Sequence, residues 1–328
     1  MKIIRIYEFG GPEALQVEEI ELPVLKPGEV LLQTEAIGVN YTDIVHRRQG
    51  GRDEITFPYT PGVEVVGTIV AKAEDAGGAP VGTRVLTLLP QGGYTEYLAV
   101  PASLALPVPA GLDAIQAAAL PLQGLTAYQI IARFGRLQAG ERILIQAAAG
   151  GVGTLAIQLA RLLGAGQIIA TASSQAKLDL ALSLGADVGI NYTQPAWTRQ
   201  VLDATDGKGV DLFLEMVGGE GFSENFGCLA PFGRIVMFGA ASGQRGRIDP
   251  EKLTARCHTV TGYYSGFIGT RPDLFLPDLN KLFQYVLGGQ LKLLVNHCFP
   301  LHKAAEAHHL METRQTTGKI ILLPATGQ

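Results

Sequence analysis

Cysteine is scarce. Cys228, Cys257 and Cys298 are the three that occur, and none forms a Cys-x-x-Cys pair. An odd, scattered count argues against a disulfide framework and suits a reducing compartment, the cytoplasm. Charge is thin too: 17% of residues are charged, the formal net charge is -4, and no long basic run occurs. That balance speaks against nucleic acid as a partner. No apolar stretch reaches about 18 residues, so no membrane span is expected. The opening Met1-Lys2-Ile3-Ile4-Arg5 lacks the long apolar core of a signal peptide. Internal repeats and low-complexity segments are missing as well.

What is present fits a large α/β protein. The 328 residues exceed one ordinary core and fit two domains. Apolar residues make up 47%, and the 41 glycines punctuate short elements without a collagen-like period. Residues 1 to 110 read as β-rich. Runs such as Val30-Leu31-Leu32-Gln33-Thr34 and Val65-Val66-Gly67-Thr68-Ile69-Val70 are separated by turn signals at Pro27-Gly28, Pro61-Gly62 and Gly77-Gly78. Pro101, Pro107 and Pro109 crowd a connector. Beyond it, Asp113 can cap the Ala-rich run Ala114 to Leu120, and a helix is expected from Thr126 to Arg133.

Strand-like and helical runs then alternate. Strands are expected at 142–145, 167–171, 188–190, 210–214, 234–238 and 259–261, with helices over 154–163 and 175–184. This βαβ spacing predicts a doubly wound, buried parallel sheet of the Rossmann kind. The last segment reads as helices near 277–287 and 303–313, closing on a strand at 319–323.

The strongest chemical signal is Ala147-Ala148-Ala149-Gly150-Gly151-Val152-Gly153. It follows a strand and opens a helix. Gly151-x-Gly153-x-x-Ala156 fits the dinucleotide fingerprint, in which glycines let the backbone approach a pyrophosphate at a helix N-terminus. A bare tight turn between strand and helix is the bland alternative. The end of the next strand reads Ala170-Thr171-Ala172-Ser173-Ser174-Gln175-Ala176-Lys177. An NAD site usually places an acid there for the ribose hydroxyls. Here the first acid, Asp179, comes inside the following helix. Hydroxyls and a lysine suit a 2′-phosphate, which favours NADPH; taken alone, Lys177 reads as an ordinary solvated residue.

Several stretches, in order, carry a family resemblance: Gly38-Val39-Asn40-Tyr41-Thr42-Asp43, Pro58-Tyr59-Thr60-Pro61-Gly62-Val63-Glu64, Gly124-Leu125-Thr126-Ala127-Tyr128, the loop at 148–153, Gly185-Ala186-Asp187, Ile190-Asn191-Tyr192 and Gly318-Lys319. Throughout its length the chain resembles the zinc-free medium-chain dehydrogenase/reductases, in their quinone oxidoreductase branch. The resemblance implies a β-rich GroES-like catalytic domain at 1–120, an NADP-binding Rossmann domain at 121–264 and a return to the catalytic domain at 265–328. It implies Asn40 and Thr126 beside the nicotinamide and Gly150, Gly151, Val152 and Gly153 on the pyrophosphate. Ser173, Lys177, Tyr192 and Arg314 would meet the 2′-phosphate, and Phe238 and Gly239 would end a strand beside the nicotinamide. Tyr192 also reads as a half-buried strand-end tyrosine, and Phe238 as plain core. The family often pairs two Rossmann sheets through the last strand, so a homodimer is expected.

The chain departs from zinc alcohol dehydrogenases at their ligand positions. Asn40 stands for a cysteine and Val63 for a histidine, and the third ligand falls near Leu122. Glu64 alone makes no tetrahedral site, so no metal is expected. His302, His308 and His309 are placed in a surface helix. His46 and Arg47 read as solvated, with a place at the cleft mouth as the alternative. Without a Lewis acid, hydride transfer rests on orientation. The candidate donors for developing negative charge are Asn40, Tyr41 and Tyr59, and both tyrosines also read as wall residues. The expected reaction is reduction of a quinone or an activated C=C bond with NADPH. A 2-alkenal or enoyl-thioester reductase and a non-catalytic, crystallin-like NADPH-binding protein remain the alternatives.

Overall fold

The computed structural model describes residues 1–50 and 54–325, which fall into two units. Unit 1 is Met1–Leu122 together with the segment from Leu293, and unit 2 is Gln123–Lys292.

Unit 1 opens with β1 (Lys2–Arg5) and β2 (Gln16–Glu19), an antiparallel pair. Its main sheet is built on β3 (Glu29–Val39), followed by helix α1 (Tyr41–Gln49), β4 (Glu64–Lys72), β5 (Arg84–Leu88), β6 (Tyr97–Pro101) and the short β7 (Leu106–Pro107). Strand β3 pairs with both β4 and β6 and is buried along most of its length, as a central strand requires. Gly67 on β4 lies where the register shifts. A Cβ there would come within 2.4 Å of the Gln33 carbonyl oxygen, so the close approach requires glycine. Helix α2 (Ala114–Ala119) starts at Asp113 as expected, with Asp113 Oδ1 accepting from the Gln116 N–H at 2.8 Å.

Helix α3 (Pro121–Gln129) begins earlier than the spacing suggested and runs into a π turn at Ile130–Phe134. Unit 2 then alternates as expected: β8 (Arg142–Ile145), α4 (Gly151–Leu162), β9 (Gln167–Ala172), α5 (Gln175–Ser183), β10 (Val188–Asn191), α6 (Trp197–Asp203) and β11 (Val210–Glu215). A 3-10 segment, Glu220–Cys228, replaces a helix before β12 (Leu229–Met237); α7 (Pro250–Thr254) and β13 (Thr259–Gly262) follow. The six strands run parallel in the order β10-β9-β8-β11-β12-β13. The order reverses between β8 and β11, and such a switch point opens a crevice at the strands' carboxyl ends.

The return to unit 1 comes at Leu293, not at the expected 265. Helices α8 (Ser265–Ile268) and α9 (Pro272–Leu287) stay with the parallel sheet. Arg133 grips Asp278 of α9 with two bonds of 2.6 and 2.7 Å, and Gln129 donates to the same carboxylate at 2.8 Å. Gln158 exchanges two bonds with the Lys292 backbone. These tertiary bonds leave no mark in local spacing. The chain ends with β14 (Val295–Pro300), α10 (Ala304–Glu312) and β15 (Lys319–Leu323). Strand β15 pairs antiparallel with β3, extending the unit 1 sheet.

Candidate active site

In unit 2 the chain leaves β8 through Ala147, in the left-handed region at φ +49, and enters α4. Gly150 is the N-cap residue and brings no side chain of its own to cap the helix. A helix N-terminus of this kind, with the helix dipole behind its first N–H groups, suits an anion. A Cβ on Gly153 would lie 2.4 Å from the Ala147 carbonyl oxygen, so only glycine lets the helix approach the strand here. A Cβ on Gly151 would collide with the Gln123 carboxamide at 1.9 Å. That packing of α3 on the loop had no signature in the sequence. The cradle fits a pyrophosphate.

The neighbouring strand ends assemble the other expected residues of this unit. Ser173 directly follows β9, and Lys177 sits in the first turn of α5. Tyr192 follows β10, its N–H bonded to the Ala172 carbonyl at 3.2 Å. All three are partly exposed, and the nearest acid on this helix, Asp179, accepts from Gln175 instead. Hydroxyls and an ammonium at a strand end without a carboxylate fit a 2′-phosphate. Phe238 leaves β12 half-buried, its N–H on the Glu215 carbonyl, and Gly239 packs close to Met216. Thr126 is buried in α3. Near it in sequence, Gln129 accepts from the Tyr263 hydroxyl at 3.0 Å, and burial pushes that phenol up to about 12.

Arg314 lies in unit 1, exposed and left-handed at φ +57, just past α10. The other unit 1 candidates cluster about α1. Asn40 precedes the helix, and its N–H donates to Asp43 Oδ2 at 2.8 Å, one half of a capping box. The Asn40 carboxamide is buried. Its Oδ1 accepts from Lys319 Nζ at 2.8 Å, while Nδ2 donates to the Gly38 carbonyl and to Glu64. Tyr41 opens α1 at 36% exposure, whereas Tyr59 is only 3% exposed. The Tyr59 hydroxyl meets His46 Nδ1 at 2.9 Å.

Behind this lies a buried polar cluster that spacing did not reveal. Arg47, expected in solvent, is fully buried and bonds Glu312 at 2.5 Å. His308, expected on a surface helix, is fully buried in α10 and meets the Tyr94 hydroxyl at 2.9 Å. Tyr94 also donates to Asp43. Burial pushes the Asp43 carboxyl up to about 7. Burial, and then the Arg47 charge, push His308 down to about 3. The helical period of α10 permitted a buried face; which neighbours cover it is a tertiary fact.

Residues 151–279 match the family described as zinc-binding dehydrogenase, and residues 26–110 that described as alcohol dehydrogenase GroES-like domain. The chain is 34% identical over 327 residues to a probable quinone oxidoreductase of Schizosaccharomyces pombe, covering 98% of this chain and 96% of that one. It is 34% identical to a 2-haloacrylate reductase of a Burkholderia species, over 97% of this chain and 98% of that one. Among solved structures it resembles the Escherichia coli quinone oxidoreductase complexed with NADPH, with a TM-score of 0.92 and 30% identity, covering 99% of this chain and 100% of that one. The zinc in the first description does not fit the residues present. Glu64 Oε2 and Asn40 Oδ1 both face the Lys319 ammonium, and Leu122 offers only a backbone N–H. Among the described residues no group of three His, Cys, Asp or Glu side chains is placed to hold a metal ion.

Proposed function

Because the chain belongs to the quinone oxidoreductase branch of the medium-chain dehydrogenase/reductases, we propose that it reduces quinones or activated C=C bonds with NADPH and without zinc. The observation that carries this reading is the Lys319 ammonium at Asn40 and Glu64, where a metal site would need free ligands. NADPH, when bound, supplies the hydride.

The residues of this chain then bind and orient. Gly150, Gly151, Val152 and Gly153 receive the pyrophosphate at the start of α4. In unit 2, Ser173, Lys177 and Tyr192 would take the 2′-phosphate; in unit 1, the family resemblance gives Arg314 the same role. In unit 2, Thr126, Phe238 and Gly239 would lie along the nicotinamide; in unit 1, the family resemblance gives Asn40 that role. An electron-poor acceptor needs no alkoxide, so the residues would have only to orient it and supply a proton. Tyr41 is the better donor, being half-exposed at the start of α1, because the Tyr59 hydroxyl is turned to His46. Asn40 orients without donating a proton, since its carboxamide is bonded at both ends.

The similarity to a 2-haloacrylate reductase favours activated C=C bonds as a second substrate class. The test is a panel of quinones, enals and enoyl thioesters, following NADPH loss, with ethanol and NADP as the control. Quinone or enone reduction without alcohol oxidation is the expected result. Brisk alcohol oxidation with no quinone or enone activity overturns the assignment. Binding of NADPH with no turnover on any member would favour a crystallin-like binding protein.

We further place the protein in the cytoplasm, on its free cysteines, and as a homodimer joined through β13. That strand is the edge of its sheet, pairing with β12 alone among the described residues. An unpaired parallel edge invites a second copy.

A further inference from the structure

Asn40, Glu64 and Lys319 are at most 3% exposed, and they come from three different strand ends. The pairing of Ile320 with Val39 sets Lys319 opposite Asn40 across β15 and β3. Lys319 Nζ donates to Asn40 Oδ1 at 2.8 Å and to Glu64 Oε2 at 2.5 Å. Asn40 Nδ2 donates to the Gly38 carbonyl at 3.1 Å and to Glu64 Oε2 at 3.2 Å. Turning the carboxamide over would aim its NH2 at an ammonium and its oxygen at a carboxylate, so one orientation is imposed. Glu64 Oε1 accepts the Leu122 N–H at 2.6 Å, in the first turn of α3. Thr126 follows on the same helix. Gly38 leaves the space this cluster needs: a Cβ there would sit 2.3 Å from Glu64 Oε2 and 2.8 Å from Lys319 Cε.

We propose that Lys319 is a positioning residue for hydride transfer, its ammonium locking the Asn40 carboxamide and, through Glu64, the start of α3. A buried ammonium is costly to desolvate, and a plain stabilising pair needs only its carboxylate. Lys319 in addition spends a hydrogen bond on the one side chain of the cluster assigned to the nicotinamide. This proposal rests on the reading that Asn40 lies beside that ring.

The variant to make is Lys319→Met with Glu64→Gln, which removes both charges and leaves neither buried alone. Three quantities are measured: the NADPH dissociation constant, the fluorescence lifetime of the bound dihydronicotinamide, and the single-turnover rate of hydride transfer to a naphthoquinone. Deuterium at C4 of the nicotinamide reports the chemical step. The expected result is an unchanged dissociation constant, a changed lifetime, and transfer slowed about tenfold to a hundredfold with a larger isotope effect. Parent-like lifetime and rate would overturn the proposal, leaving Lys319 and Glu64 as a structural pair. Should the double variant not fold, Asn40→Leu removes the carboxamide and keeps the ion pair. It is expected to show the same slowing, and a parent-like rate there would overturn the proposal equally. A parent that binds NADPH yet reduces nothing defeats the functional reading and this proposal with it; an active parent with an equally active variant defeats this proposal alone.

Discussion

Lys177 illustrates how little one residue says without its surroundings. On a helix it is an ordinary solvated lysine; beside Ser173 and Tyr192, at a strand end with no acid, it suits a phosphate. Lys177→Ala is expected to weaken NADPH binding about tenfold or more and NADH binding little, since a charge-assisted bond is worth roughly 1.5–3 kcal/mol. Equal losses in paired titrations would remove Lys177 from the phosphate site. The tyrosines divide in the same way. Tyr41→Phe is expected to lower turnover by about a hundredfold at unchanged NADPH affinity, and Tyr59→Phe by far less. The reverse order in steady-state kinetics would assign the proton to Tyr59.

His308 and Asp43 act oppositely on stability. The depressed His308 stabilises the fold above the ordinary histidine range, and that contribution is lost as pH falls toward about 3. The raised Asp43 stabilises the fold at low pH, and its contribution is lost as pH rises through about 7. Between the two the slopes partly cancel. His308→Gln leaves Asp43 unopposed, so on acidification from about pH 7.5 to about pH 5 the variant should gain stability relative to the parent. Urea unfolding midpoints at both pH values measure this, and parallel profiles for variant and parent would count against it.

At the scale of elements, the turn between β8 and α4 carries the densest local information. Strand, glycines and helix all lie within residues 142–162, so spacing alone located it. Its tolerance is equally local. Gly153→Ala sets a methyl group 2.4 Å from the Ala147 oxygen, and such overpacking typically costs about 1–3 kcal/mol. A lower melting temperature with weaker NADPH binding is the expected outcome; an unchanged protein would mean the helix yields freely. Helix α9 shows the opposite case. Its length was legible near 277–287, but its membership of unit 2 depends on Arg133 and Gln129 gripping Asp278. Those partners are far away in sequence and match no motif.

For the whole molecule, the homodimer proposal is tested by sedimentation at micromolar concentration. Two copies joined through β13 should separate when Val260, at the middle of that strand, is replaced by Pro, because proline removes a ladder donor. A parent that sediments as a monomer would end the proposal.

The sequence by itself determined what depends on near neighbours. Alternation and glycine spacing specified the parallel sheet and the glycine turn between β8 and α4, and the missing acid after β9 pointed to the cofactor. The stretches from Gly38 to Asp43 and from Pro58 to Glu64 marked the GroES-like unit. Tertiary structure alone decided the long-range pairings. It buried Arg47 and His308, turned Tyr59 toward His46, and set Lys319 against Asn40 from 279 residues away. The physical reason is that local spacing tells which face of an element is apolar, whereas the partner of a buried charge is chosen by whatever strand the fold lays beside it.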